Sequence, residues 1–520
     1  MNWLDYSIII IYILLMLSMG YFMRDQSSGK SYFIGDKNFG WFTLLLSTMA
    51  TQLSAISFIS APAFVGMKMG GGMKWLTFEF GVPLAMIFLS LVITPFLYKA
   101  GIVSAYEFLE RRFGRSTRLL ISTAFLLSRS FSTGVAVYTV ALLLESVFNI
   151  HFWQTIGIIC VVTMLYSLKG GLKVVVYTDV IQMFIKYFGI VVCLGFALYN
   201  MGGWSVFLEH LDKERTQVVN FDSWGFNGDT YGFFPMLFGG FVLYASYYGC
   251  DQTQVQRSLA ASSLAEVRKM YMLNGIVRFF VTFTYCITGL VIGTFALVTP
   301  SFKALIPTTQ PDKMLPMFIL HYLPNGIIGL VIVAIFAAAM SSLSTNVNAL
   351  AAVSMEDFVT KRFKFSEKQY SLYSQVCVVF WGAVCVFTAA IAGDIAETVI
   401  EAINKIGSVF YGPILATFTL AILTKNIKAN NMNLGLITGV LLNVYLWKFQ
   451  PQIFWFWWNL FGCIMTLGVA YLSSLFNAKK VLKPLESSSL AFEFWNKSTY
   501  YLIIFFIFII FFSISIPYWL

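Results

Sequence analysis

Fourteen runs of roughly 20 apolar residues follow one another along this chain, each a candidate helix across the hydrocarbon core of a bilayer. They cover 3–23, 40–66, 74–98, 119–148, 153–168, 174–200, 231–252, 271–298, 325–353, 370–392, 396–424, 431–447, 452–475 and 498–518. With 58% of residues hydrophobic and 11% charged, the composition falls outside the range of soluble domains. The expectation is an all-α polytopic membrane protein of about 14 transmembrane helices.

Positive charge gives an independent reading, because Lys and Arg collect in loops on the inner side. With the N-terminus outside, the inner loops carry 23 of the 34 basic residues and the outer loops 7, while Arg129, Lys186, Arg278 and Lys405 lie within spans. The densest inner clusters are Arg111, Arg112, Arg115 and Arg118, then Lys361, Arg362, Lys364 and Lys368, then Lys479, Lys480 and Lys483. The net charge of +10 is therefore a topology signal, and no nucleic-acid partner is needed to explain it. Both termini are expected outside, in the cell inner (plasma) membrane. The first span is too long, and its flank too poor in positive charge, for a cleaved secretion signal. All seven cysteines lie in apolar spans without CxxC spacing and the three histidines are scattered, which points away from a disulfide framework or a zinc site.

Against this apolar background, residues 334–346 read AIFAAAMSSLSTN. On a helix Ala338, Ser341, Ser342 and Thr345 form one stripe along one face. Such a stripe suits a hard cation that takes oxygen ligands, and close helix packing with shared hydrogen bonds accounts for it equally. Span 6 adds Asp179, a carboxylate that costs several kcal/mol in lipid unless it is paired or ion-bound. It reads as a cation ligand or as the partner of a basic side chain. Two spans are interrupted by polar clusters, at 50–57 and at 246–252, five spans apart. That is the spacing of two inverted five-helix repeats, and irregular backbone at membrane depth is tolerated where it lines a cavity. The division expected is an N-terminal extra helix and inner loop (1–39), a first repeat (40–200), an outer loop (201–230), a second repeat (231–424) and three further helices (425–520). The pattern favours a transporter over a receptor or a membrane enzyme. No His/Cys/Asp cluster and no nucleophile with a base is present, so no catalytic residue is assigned.

The segments SAYEFLERRFG (104–114), GGLKVVVYTDVIQ (170–182), DQTQVQRSLAA (251–261), IFAAAMSSLSTNVNA (335–349) and FYGPILATF (410–418) resemble the sodium:solute symporter family, which includes sodium/glucose cotransporters and a sodium/sialic acid symporter. The resemblance runs in order over most of the chain. It implies the leucine-transporter type of inverted repeat with flanking helices, alternating access, and one or two coupling Na+ ions. The general sodium site it implies uses carbonyls of Ala50, Leu53 and Ala338 with the hydroxyls of Ser341 and Ser342. The second uses Asp179, Ser344 and Thr345 with the Ser341 backbone. One sodium entering at about 100 mV gains roughly 2.3 kcal/mol. A tenfold gradient adds about 1.4 kcal/mol, together enough to concentrate a neutral solute roughly 500-fold.

The same resemblance places substrate at the interrupted spans, on Gln52, Ser54, Ser57 and Tyr247, with Gln52 as the amide partner of Tyr247. Packing of an amide and an aromatic ring between helices accounts for that pair as well. Arg129, deep in span 4, is suited to bidentate carboxylate recognition, or to a structural bridge with Glu79 or Asp251. Lys405 falls where sugar transporters of the family place a sugar-binding glutamine, eight residues before Pro413, and its charge weakens the case for a neutral hexose. The function expected is sodium-coupled import of a small polar solute, a sugar, sugar acid or organic carboxylate, with the lipid bilayer and that solute as partners and no protein partner required. The alternative is a sodium-binding sensor or channel on the same fold. Lys186, Glu79, Asp251 and Glu401 read as helix-pairing or interfacial groups.

Overall fold

In hydrocarbon every backbone N–H and C=O must be paired inside its own segment, which leaves an apolar chain of this kind one economical answer, a stack of helices. The structure, a computed structural model, describes residues 1–22, 31–35, 37–148, 151–390, 399–476 and 496–520. The basic cluster at Lys479, Lys480 and Lys483 lies outside them. Among the described residues 12 helices are long and apolar enough to cross a membrane, 13 with the bent pair Trp41–Gln52 and Ala55–Gly66 counted as one span. The shorter apolar helix Trp153–Leu168 completes the series expected from the sequence.

Span 2 breaks where expected. Leu53 (φ −77°, ψ 74°) and Ser54 (φ −75°, ψ 176°) leave helical geometry, and the two halves meet at 60°. Ser54 is a residue type favoured at helix N-termini, yet its side chain caps nothing, so the first amides of Ala55–Gly66 stay open. Span 7 departs in detail: Phe233–Cys250 is continuous through Ser246 and Tyr247, and the break falls at Asp251 (φ −83°, ψ 126°). The carboxylate of Asp251 accepts the Thr253 amide at 2.9 Å and so starts a new helix, Gln252–Leu259. Each repeat opens on a broken span and inserts a short helix between its second and third spans, Ala105–Phe113 in one and Met314–Tyr322 in the other.

Spans 5 and 6 run together as Phe152–Met201, interrupted at Gly171 (φ 51°, ψ −149°). A Cβ there would lie 2.3 Å from the Tyr32 carbonyl oxygen, so both the backbone conformation and the contact demand glycine. Span 9, Ile327–Val353, is apolar on almost every face and is correspondingly buried between neighbours. Span 6 lies against it so closely that a Cβ on Gly189 would sit 2.5 Å from that of Ala334. The functional groups of spans 2, 6 and 9 are thus held on rigid, tightly packed elements.

Candidate functional site

Where span 2 breaks, the carbonyl groups of its first half lose their helical partners and span 9 supplies hydroxyls to them. Ser341 Oγ lies 3.2 Å from the carbonyl oxygens of both Ala50 and Ala338, and Ser342 Oγ donates to the Thr51 carbonyl at 3.2 Å. The residues expected at the general sodium site, Ala50, Leu53, Ala338, Ser341 and Ser342, are brought together. The centre of the set is held by a side chain from span 6: Lys186 Nζ donates to the carbonyl oxygens of Ala50 (2.6 Å) and Leu53 (3.0 Å) and to Ser341 Oγ (3.0 Å). Three donors meet three oxygens, the complete inventory of an ammonium group. Lys186 is fully buried and stands midway along Gly171–Met201.

A sodium ion on the same oxygens would lie within about 4 Å of Nζ. At an effective dielectric of about 20, two unit charges at that separation repel by about 4 kcal/mol, roughly a thousandfold in occupancy. Ammonium and sodium exclude one another here. With Lys186 in place these oxygens do not fit sodium.

Of the second expected set, Asp179 and Thr345 are joined through a further basic residue, while Ser344 and Ser341 are bonded to each other apart from them. Asp179 Oδ2 accepts from Ser47 Oγ (2.7 Å) and from Arg257 Nη2 (2.6 Å), and the same Nη2 reaches Thr345 Oγ1 (2.6 Å). Ser344 Oγ donates to the Ser341 carbonyl at 3.1 Å. Arg257 is secured at both ends, by Nε to Ser47 Oγ (2.7 Å) and Nη1 to the Thr253 carbonyl (2.6 Å). Asp179 Oδ1, by contrast, is buried with no hydrogen-bond partner among the described residues. An anionic oxygen left bare in this way carries its full desolvation cost, and a cation would relieve it. This set fits sodium at one point, that oxygen.

Next to the broken span lies a cavity of about 140 Å³. Gln52, Ser54, Ser57, Arg129 and Tyr247 line it, as do Glu79, Arg278 and Ser342. Lys405 lies apart, lining a different pocket with Lys68, Tyr231 and Glu401. Gln52 takes its hydrogen bond from the hydroxyl of Tyr248, the neighbour of the tyrosine expected. Tyr247 instead accepts from Gln254 Nε2 at 2.9 Å, and the Arg129 guanidinium lies 5.3 Å from the centre of its ring. Arg129 pairs with Asp251, and its Nε is buried without a hydrogen-bond partner among the described residues. Arg278 grips Glu79 with two bonds, 2.6 and 3.0 Å, and also donates to the hydroxyls of Tyr244 (2.6 Å) and Tyr248 (3.1 Å).

Three of the four buried cations around this centre are matched, Arg129 by Asp251, Arg257 by Asp179 and Arg278 by Glu79. Lys186 has no carboxylate partner among the described residues. The roles of Lys186, Arg257 and Arg278 were missed in the sequence. Two signals were present: Lys186 sits at the centre of its span, and Arg257 closes the DQTQVQR segment.

A family model described as sodium:solute symporter family matches residues 32–439. The chain is 26% identical over 456 residues to the sodium/iodide cotransporter of Homo sapiens, covering 85% of this chain and 69% of that protein. It is 30% identical over 434 residues to sodium-coupled monocarboxylate transporter 1 of Mus musculus, covering 81% and 68%. A solved structure of a Na+-coupled sialic acid symporter, substrate-bound and outward-open, superposes with a TM-score of 0.82 at 24% identity, covering 93% of this chain and all of that one. That likeness establishes a shared fold.

Proposed function

The chain belongs to the sodium:solute symporter family, and from that premise we propose that the solute it moves with sodium is a small organic monoanion, a monocarboxylate about the size of lactate or pyruvate. It is a multi-pass membrane transporter and a sodium-coupled symporter. The observation that carries the choice of solute is that buried basic side chains outnumber acidic ones around the broken span. Arg129, Lys186, Arg257 and Arg278 stand against Glu79, Asp179 and Asp251, all of them buried. A buried charge without a counter-ion is costly, and a monoanion in the adjoining cavity offsets it.

Three further features agree. The start of Ala55–Gly66 borders the cavity, with Ser54, Ile56 and Ser57 lining it, and a helix N-terminus favours an anionic group. Arg129 lines that cavity, and a guanidinium there suits a carboxylate, with Gln52 and Tyr247 shaping the remaining wall. The size of the space also selects: a cavity of about 150 Å³ admits benzene, with about as many non-hydrogen atoms as pyruvate, whereas a sugar acid is much larger. The relatives named above act, by their names, on iodide and on monocarboxylates, both anions.

We assign the coupling sodium to Asp179, with Ser344, Thr345 and the backbone carbonyl of Ser341 around it, on the strength of the bare Oδ1. Both termini are assigned to the outer face, from the charge of the loops. Purified protein in liposomes with an inward sodium gradient, offered labelled acetate, lactate, pyruvate, glucose and sialic acid, tests the reading. Accumulation of monocarboxylates that stops when choline replaces sodium is expected. Uptake of glucose alone would overturn it.

A further inference from the structure

We propose that the Lys186 ammonium stands permanently in place of a sodium ion on the oxygens of Ala50, Leu53 and Ser341, so that each chain takes up a single exchangeable sodium. The inference rests on the reading above for the position of that one sodium, at Asp179, but its own grounds are separate. All three N–H donors of Lys186 are used, and on the oxygens that the broken span and the serine stripe present to a cation. The side chain is fully buried, and span 6 is fixed against span 9 by the close approach at Gly189, so the stem delivers its charge to one place. Asp179, the acidic residue two turns back on the same helix, is already engaged by Arg257. Nothing in this arrangement leaves room for a second cation beside Nζ.

The substitution changes what the carrier can do. A tethered cation returns with the empty protein, so it holds the broken span to span 9 without carrying charge across. One sodium and one monoanion then move together with no net charge. A tenfold sodium gradient would concentrate such a solute about tenfold whatever the membrane potential. The device trades concentrating power for independence from voltage.

Equilibrium binding of radioactive sodium alone to the purified chain tests this without knowledge of the solute. The wild type is expected to bind one sodium per chain, lost in Asp179→Asn and retained in Ser342→Ala. Lys186→Ala is expected to bind two, falling back to one when Ser342→Ala is added. Lys186→Met, which keeps the length of the stem, serves if the alanine variant does not fold. Two sodium ions bound to the wild type, one of them lost in Ser342→Ala, would overturn the proposal, as would no gain in either Lys186 variant. If the wild type binds none and Lys186→Ala binds one that needs Ser342, the tethered cation stands and the assignment of sodium to Asp179 fails.

Discussion

Arg257 Nη2 lies 2.6 Å from Asp179 Oδ2, and both side chains are wholly shielded from solvent. Removing one member of such a pair strands the other charge and costs about 3–5 kcal/mol. Asp179→Asn and Arg257→Gln are each expected to lower thermal stability strongly. The double variant should lose less than the sum, because neither charge is then stranded. Thermal unfolding of the four proteins in detergent, followed by tryptophan emission, completes the cycle. Additive losses would mean that the two side chains act independently.

Arg129 and Lys405 are both cations in spans, and the geometry separates them. Arg129 lines the central cavity, whereas Lys405 lines the pocket with Lys68 and Glu401. A charge-assisted hydrogen bond contributes about 1.5–3 kcal/mol, so Arg129→Gln/Asp251→Asn, which also removes the stranded partner, should raise KM for a transported monocarboxylate at least tenfold. Lys405→Ala should change it less than twofold. The concentration dependence of initial uptake in liposomes distinguishes them, and equal effects would place the solute elsewhere.

The joint between spans 5 and 6 rests on Gly171. Its φ of 51° with ψ of −149° lies where only glycine is comfortable, and a Cβ would press on the Tyr32 carbonyl at 2.3 Å. Strain of that kind costs about 1–3 kcal/mol before the clash is counted. Gly171→Ala should therefore lower the melting temperature, while Gly195→Ala, which faces open space in the same helix, should not. Thermal unfolding of both variants is the check, and equal melting temperatures would mean that the joint is soft.

The number of spans, the break at Leu53 and the serine stripe were legible because each rests on a local rule: length of an apolar run, depletion of helix formers, spacing on one face. What joins them is not local. Arg257 and Asp179 are 78 positions apart, and Lys186 and Ala50 are 136 apart, so no periodicity in either segment announces the meeting. A lone lysine in an apolar run has the same sequence signature whether it pairs helices or enters a cation site. Only the packing of spans 2, 6 and 9 decides which. The choice between Tyr247 and Tyr248 as partner of Gln52 fails for a similar reason, since one residue along a helix turns a side chain by about 100°.

The loop 201–230 carries a titration that can be followed apart from transport. Asp229 accepts hydrogen bonds from the amides of Gly225 (2.8 Å) and Asn227 (3.0 Å) and from Ser223 Oγ (2.9 Å). Burial alone would raise its pKa, but these donors outweigh it and hold the carboxyl at about 2, below the usual 3.8. A group whose folded pKa is depressed contributes stability above its unfolded value and loses it as pH falls through the folded one. The turn at 223–229 should therefore be firm at neutral pH and loosen between about pH 4 and 2. Hydrogen exchange at the Gly225 and Asn227 amides, read by mass spectrometry and corrected for the intrinsic pH dependence, should show protection falling across that window. In Asp229→Asn protection should be low already at neutral pH and flat on acidification, because the amide cannot carry the charge those donors stabilise. Protection in the wild type that stays level from pH 5 to 2 would show that the three donors hold the turn without the charge of Asp229.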